Sequence, residues 1–439
     1  MNNNALTSVV SNVRKCTLVQ RIGGISQIYG LMVESNGPDV FLGEECEIYR
    51  KKYGNKVRAE VVALKNDKVI LMPYGDLRGV SYGDEVLATG RAVSVPVGEE
   101  LLGRVIDGFG NPLDDKPRPL CDERYSLYGE PINPLSRQRI TKILNTGVKA
   151  IDCLLTVGRG QRVGIFSGSG VGKSSLLGMI ARHMDADVNV IAMVGERGRE
   201  VMEFISEVLG PEGLKKSIVV VATSDQPALK RTHAAFAATA IAEYFRNRGQ
   251  HVVLTMDSLT RFAMAQREIG LAVGEPPTSR GYTPSVFAIL PRLLERAGTT
   301  ASGGTITAFY SVLVEGDDMN DPIADNVRAI LDGHIVLKRE LANKNVYPPI
   351  DILSSTSRLM HSLTTADERK MANEAVRLLS QYTESRDMVE LGVYRAGTNP
   401  QLDLAIKIAP KLQEYFTQNI DAEFTREQSM HGIREILSR

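Results

Sequence analysis

The sequence predicts an α/β chain in three parts: a small N-terminal β-barrel, a core built on a parallel sheet with helices on both faces, and a C-terminal helical domain. Three observations carry this prediction. From about residue 151 to 360, apolar runs such as RVGIF, VNVIAMV, SIVVVAT and HVVLTMD alternate with helical stretches such as KSSLLGMIARHM and HAAFAATAIAEYFRNRG. Strand, helix, strand in that order gives a parallel sheet covered on both sides. Between Ile22 and about Val95 the runs are short, alternating and broken by Gly, Asn and Asp, the pattern of a small barrel. After residue 365, Met371, Ala375, Leu378, Leu379 and Tyr382 fall on one helical face.

Taken in order, residues 1–20 place Leu6, Val9, Val10 and Val13 at three-to-four residue spacing among polar neighbours. That spacing predicts one short amphipathic helix, packed on its own barrel or docked on a partner. Residues 21–95 form the barrel: Val57, Ala59, Val61 and Ala63 alternate, Asn66-Asp67 turns the chain, and Val69 and Leu71 resume the alternation. Residues 96–150 are dense in Pro and Gly (GFGNPLDD, KPRPL, GEPINPLSRQ) and read as a linker draped over the next domain. Residues 151–362 are the core and 363–439 the helical domain.

Composition narrows the function classes. At roughly 150 residues per domain, 439 residues make two or three domains. Hydrophobic residues are 43% and charged residues 24%, which excludes a disordered chain. Lys plus Arg equals Asp plus Glu at 52 each, so the chain is not a globally basic nucleic-acid binder. Cysteines at 16, 46, 121 and 153 leave no CxxC pair for zinc or redox work, and fit a reducing compartment. No run of eighteen apolar residues occurs, and the N-terminus lacks a signal-peptide core. A soluble cytoplasmic protein is expected.

The chemistry begins at RVGIFSGSGVGKSSLLGMI, where strand, Gly-rich loop and helix follow directly. This is the context of a phosphate-binding P-loop. Gly168, Gly170 and Gly172 let backbone N–H groups turn toward phosphate oxygens, with Ser169, Val171 and Ser175 completing the loop. Lys173 can reach β- and γ-phosphates, Ser174 can ligand Mg²⁺, and the helix N-terminus adds its dipole. Ser167 stands where the G-x-x-x-x-G-K-S string has its first Gly. A carboxylate must help the metal and a base must activate water. Asp257 ends the strand HVVLTMD, and Glu196 follows the strand VIAMV with Arg197 beside it to balance phosphate charge. No N-K-x-D string reads guanine, so ATP is the expected nucleotide.

With these elements assembled, the chain resembles the rotary ATPase superfamily and, within it, the ATPases of type III protein export, flagellar or injectisome. VGERGREVMEFI, MDSLTRFAMAQREIGLAVGEPP, GYTPSVFAILPRLLERAG, TAFYSVLVEGDDMNDPIADNVRAILDGHIVL and YPPIDILSSTSR match that pattern. The resemblance implies a RecA-like ATPase core with Lys173 and Ser174 on phosphate and magnesium, Glu196 as base and Asp257 as the Walker B acid. It implies Glu200 as an outer magnesium carboxylate, Arg197 and Arg261 as γ-phosphate contacts, and Tyr347 stacked on adenine. Arg358, after Ser355-Thr356-Ser357, resembles an arginine finger inserted into the neighbouring subunit's site. Thr255 before the acid, and Lys338-Arg339 in place of Ser-Arg, depart from the family pattern.

A chain holding both a complete site and a finger can build a ring of identical subunits, which by the resemblance is a homo-hexamer. The DDMNDP segment favours flagellar export. By the same resemblance, a peripheral stator or regulator protein meets the N-terminal helix, and a central stalk protein, the export gate and substrate–chaperone complexes meet the C-terminal domain. The ring would be cytoplasmic and peripheral to the inner-membrane export apparatus. The alternatives are a catalytic subunit of an ion-translocating rotary ATPase and a hexameric RNA helicase. Residues 20–95 lack the basic and aromatic run that stacks single-stranded bases, so no nucleic acid is expected.

Overall fold

The computed structural model describes residues 21–438, so the helix expected over residues 1–20 lies outside the described residues. The main chain passes from one compact unit to a second between Val93 and Ser94.

The first unit is a closed barrel of β1 (Ile22–Tyr29), β2 (Met32–Asn36), β3 (Glu44–Arg50), β4 (Asn55–Lys65), β5 (Lys68–Pro73) and β6 (Glu85–Ala92), in the order β1-β2-β5-β4-β3-β6, with β1 pairing back onto β6. Val57, Ala59, Val61, Val69 and Leu71 point inward with Ile25, Val33, Cys46, Ile48 and Val86. Asn66 and Asp67 both take positive φ, 51° and 58°, as a two-residue hairpin turn requires. The expected alternation fails at Ala63, which is only half buried, because the β4–β5 register shifts between Val61 and Ala63. One extra residue there turns the side chains past it off the interior face.

The second unit is built on a nine-stranded sheet. Its strands are β7 (Arg104–Ile106), β8 (Arg162–Ser167), β9 (Val188–Val194), β10 (Ser217–Ala222), β11 (His251–Asp257), β12 (Thr305–Leu313), β13 (Gly333–Leu337) and β14 (Ile350–Ser357), with the short Gly298–Thr299 paired on β12. The spatial order is β14-β13-β8-β12-β11-β9-β10-β7. From β13 through β7 the neighbours are parallel, whereas β14 runs antiparallel to β13. β9, β10 and β11 are buried along their whole length, which is why they read as near-continuous apolar runs.

The Pro/Gly-rich stretch read as a linker supplies an edge strand to this sheet. Residues 104–106 pair with Ile218–Val220 of β10. Three residues, RVI, are too few to show a period, so propensity and punctuation hid the strand.

The helices that matter below are α1 (Lys149–Leu154), α2 (Lys173–His183), α3 (Gly198–Glu203), α4 (Ala228–Asn247), α5 (Leu259–Ala272), α6 (Ala366–Glu390), α7 (Pro400–Phe416) and α8 (Arg426–Leu437). α6 and α8 each begin with a capping box, Thr365 with Glu368 and Thr425 with Gln428. On α6, Ala375, Leu378 and Leu379 are buried, with Met371 and Tyr382 packed against the same core. That core runs without a break from α1 and the sheet into α7 and α8. Among the described residues no helix is long and apolar enough to cross a membrane.

Candidate active site

In a parallel sheet every strand delivers its loop to the same edge, so the three motifs that follow β8, β9 and β11 must meet there. They do. The loop after β8 has Gly170 at φ 72° and Gly172, the N-cap of α2, at φ 98°, conformations that only glycine adopts without strain. Gly168, Ser169, Gly170, Gly172, Lys173, Ser174 and Ser175 line a cavity of about 370 Å³ with Glu196, Arg197, Glu200 and Arg261. Val171 is the exception among the expected loop residues: it is buried, 1% exposed, and does not line the cavity. Ser167 is buried and its hydroxyl has no partner among the described residues, so a small residue fits where the motif has Gly.

Lys173 Nζ lies 2.6 Å from Asp257 Oδ1 and 3.9 Å from Glu196 Oε1. Arg261 Nε donates to Glu196 Oε1 at 3.1 Å. The side chains of Asp257 and Glu196 are each 6% exposed. Burial and then the neighbouring Asp257 carboxylate push Glu196 up to about 7; a hydrogen bond with Glu200 adds to this, while Lys173 and Arg261 pull the other way. A carboxylate poised near neutrality is suited to take a proton from water. Arg197 and Glu200 face each other at 3.9 Å, both with substantial exposure, so they stand at the mouth of the cavity.

The donor set fits a hard cation. Ser174 is exposed to the cavity, and the acidic groups beside it are carboxylates, the oxygen ligands Mg²⁺ takes while keeping water and substrate phosphates in its remaining positions. A magnesium ion held here by Ser174 and Asp257, with Glu200 further out, would supply charge neutralisation to bound phosphates.

Two expected site residues lie away from this cluster. Tyr347 sits on the other flank of the loop, where a Cβ built on Gly172 would lie 3.5 Å from its Cε1. Tyr347 is 38% exposed, open to a flat ligand. Arg358 follows β14, whose antiparallel course pairs Ser357 with Gly333, the first residue of β13. Arg358 therefore emerges at the sheet edge opposite its own P-loop, roughly 20 Å away along six residues of β8. Its backbone N–H donates to the Asp332 carbonyl at 3.0 Å and its guanidinium to the Arg328 carbonyl at 3.3 Å.

Three further residues escaped the sequence reading. Ser311 on β12 donates to Asp257 Oδ1 at 2.6 Å; a serine interrupting the run AFYSVL was its signal. Arg339, from the pair noted as a departure, donates to the Ser169 carbonyl at 3.0 Å and braces the loop from behind. Gly195, at φ 72°, clears the path by which Arg261 reaches Glu196, since a Cβ there would lie 2.8 Å from Arg261 Cδ.

The chain is similar to known proteins along nearly its whole length. Residues 25–90 match the ATP synthase alpha/beta family, beta-barrel domain, residues 147–357 its nucleotide-binding domain, and residues 364–435 the T3SS EscN ATPase C-terminal domain. The flagellum-specific ATP synthase of Bacillus subtilis is 53% identical over 430 residues, 98% of each chain. The assembled ATPase EscN of the enteropathogenic E. coli type III secretion system superposes with a TM-score of 0.90 at 45% identity, covering 94% of this chain and all of that one. EscN in complex with its central stalk EscO gives 0.87 at 44% identity, with the same coverage. The chain binds nucleotide and hydrolyses ATP as a member of the ATP synthase alpha/beta family, and within it belongs to the type III export ATPases.

Proposed function

We propose that this chain is the Mg²⁺-dependent ATPase of a flagellar export apparatus, working as a ring of identical subunits in which Arg358 of one chain completes the site of the next. The observation that carries the shared site is the course of β14. Arg358 is exposed at the edge of the sheet opposite its own P-loop, while the phosphate cavity holds Lys173, Glu196 and Arg261 without it. An exposed guanidinium on the edge away from its own site supports a role in a neighbour's. Ser174 and Asp257 hold the metal, with Glu200 supporting it, Glu196 activates water, Arg197 and Arg261 meet the γ-phosphate, and Tyr347 stacks on adenine.

Support for the flagellar setting comes from the relatives named flagellum-specific ATP synthase, and support for the ring and an axial partner from the assembled EscN and its complex with a central stalk. On this reading the chain hydrolyses ATP to unfold cargo and release it from chaperones. α6, α7 and α8 face the stalk, the export gate and substrate–chaperone complexes. The segment 1–20 docks a stator or regulator, and the ring is cytoplasmic and peripheral to the inner membrane.

The test mixes two dead enzymes. Arg358→Ala and Glu196→Gln proteins should each be nearly inactive, since every interface of either ring lacks one group. After subunit exchange about a quarter of interfaces carry Glu196 from one chain and Arg358 from the other, and ATP turnover should reappear. No recovery despite exchange proven with differently tagged subunits, or a fully active Arg358→Ala parent, overturns the shared site.

A further inference from the structure

Gln418 sits in the turn after α7 and is buried. Its side chain is used at both ends: Oε1 accepts from the Lys149 N–H at 2.9 Å, and Nε2 donates to the Gly147 carbonyl at 2.9 Å and the Ala422 carbonyl at 3.3 Å. Its own backbone N–H donates to the carbonyl of Tyr347 at 2.8 Å. One residue of the helical tail therefore grips the start of α1 with its side chain and the Tyr347 loop with its main chain.

Both things it joins are anchored. The Thr146–Gly147 turn converges on the buried Asp152 carboxyl, which accepts from Thr146 N–H, Thr146 Oγ1 and Gly147 N–H. The Lys149 ammonium lies 4.5 Å and 4.0 Å from the ring centroids of Tyr415 and Phe424 and donates to the Tyr415 carbonyl at 3.2 Å. The loop carrying Tyr347 is held by Val346 N–H on the Leu341 carbonyl, 3.0 Å, and Lys338 N–H on the Pro349 carbonyl, 2.9 Å. The hold on Tyr347's own carbonyl comes from the helical tail, through Gln418. A residue more than a third exposed is not fixed by packing alone, so the place of its ring against Gly172 depends also on these backbone anchors.

We propose that Gln418 is a positioning residue for the nucleotide, tying the Tyr347 ring to the C-terminal helices so that a displacement of α7 or α8 changes the grip on the base and leaves the grip on the phosphates alone. The proposal rests on Tyr347 being the base platform. Without the Gln418 side chain, Gly147 C=O and Lys149 N–H lose their partners, residue 418 is released from the α1 turn, and the N–H that holds Tyr347 drifts with it.

The experiment measures kcat and KM for ATP, and the inhibition constant of inorganic pyrophosphate, which has phosphates and no base. It uses the full chain as wild type, Gln418→Ala, Tyr347→Ala and the double variant. Gln418→Ala should raise KM about three- to tenfold with kcat changed less than about twofold, leave pyrophosphate inhibition unmoved, and add nothing to Tyr347→Ala in the double variant. An unchanged KM in Gln418→Ala beside a raised KM in Tyr347→Ala overturns the proposal and leaves the platform standing. An unchanged KM in both overturns the platform itself. Loss of pyrophosphate binding together with ATP binding marks general damage and also overturns the proposal. Should Gln418→Ala lose its cooperative melt, the same series is read on Gln418→Glu, which keeps an acceptor for Lys149 N–H and loses the donor to Gly147.

Discussion

Replacing Glu196 by Gln should abolish hydrolysis and, at alkaline pH, make the nucleotide-free protein more stable. The carboxyl is buried beside Asp257 and holds its proton up to about 7 instead of the ordinary 4.5. The sign follows from proton binding. Between these two values the unfolded chain has released the proton and the folded chain has kept it, so native stability falls as pH rises from 4.5 through 7, and the full cost is present above 7. At about 1.4 kcal/mol per pH unit the difference is about 3 kcal/mol. Coupling to Asp257, Lys173 and Arg261 and residual solvent screening reduce this to about 1–2 kcal/mol. An amide carries no charge to bury and its oxygen can still accept from Arg261 Nε. Glu196→Gln should therefore melt a few degrees above wild type at pH 8, at roughly 2–4 °C per kcal/mol, and the gap should close toward pH 5. The assay is paired thermal scans at both pH values without nucleotide or Mg²⁺. A variant less stable than wild type at pH 8, or a gap independent of pH, refutes the reasoning. The same group should set the acid limb of the wild-type rate, with kcat/KM falling about tenfold per pH unit below about 7.

Two other perturbations act on the same edge of the sheet. Lys173→Ala removes the cation between Asp257 and Glu196 and should lower kcat by about 10²-fold or more, read by phosphate release at saturating Mg²⁺ and ATP; turnover near wild type would sink the P-loop assignment. Gly195→Ala puts a Cβ where φ is 72° and 2.8 Å from Arg261 Cδ, and should cost about 1–2 kcal/mol of stability together with roughly a tenfold loss of kcat as Arg261 leaves Glu196. An Ala variant that melts and turns over as wild type would show that Arg261 does not depend on that clearance.

How much of this was legible in the chain depended on how local each signal was. The P-loop, Glu196 and Asp257 were readable because each directly follows an apolar strand, and parallel strands bring their following loops to one edge whatever their order. The order itself, with β12 between β8 and β11, is a matter of long-range pairing, and so Ser311 could not be assigned to Asp257 before the strands were placed. Arg339 was noticed as a departure but not as a brace for Ser169, a contact 170 positions apart. The strand at Arg104–Ile106 was lost among prolines and glycines. In the barrel, the inward set was correct up to Val61 and failed at Ala63, where a register shift leaves no mark in a period-two pattern.

The closed barrel has a consequence for crowding. A sheet that ends in an unpaired strand offers its bare N–H and C=O groups to any other copy that drifts alongside, and copies held side by side at high local concentration are the most exposed to such merging. Among the described residues of the first unit there is no such margin, because β1 closes on β6. In the second unit the margin at β7 is three residues long, with Arg104 engaged by Asp114 across its start, too short to template a foreign strand. At the other margin, β14, the Ser355 hydroxyl donates to the Asp351 carbonyl at 2.6 Å and accepts from Val336 N–H, and the β13–β14 register is irregular between His334 and Val336. Barrels of identical chains can thus be packed flank to flank and still meet through side chains, without their sheets fusing into an aggregate.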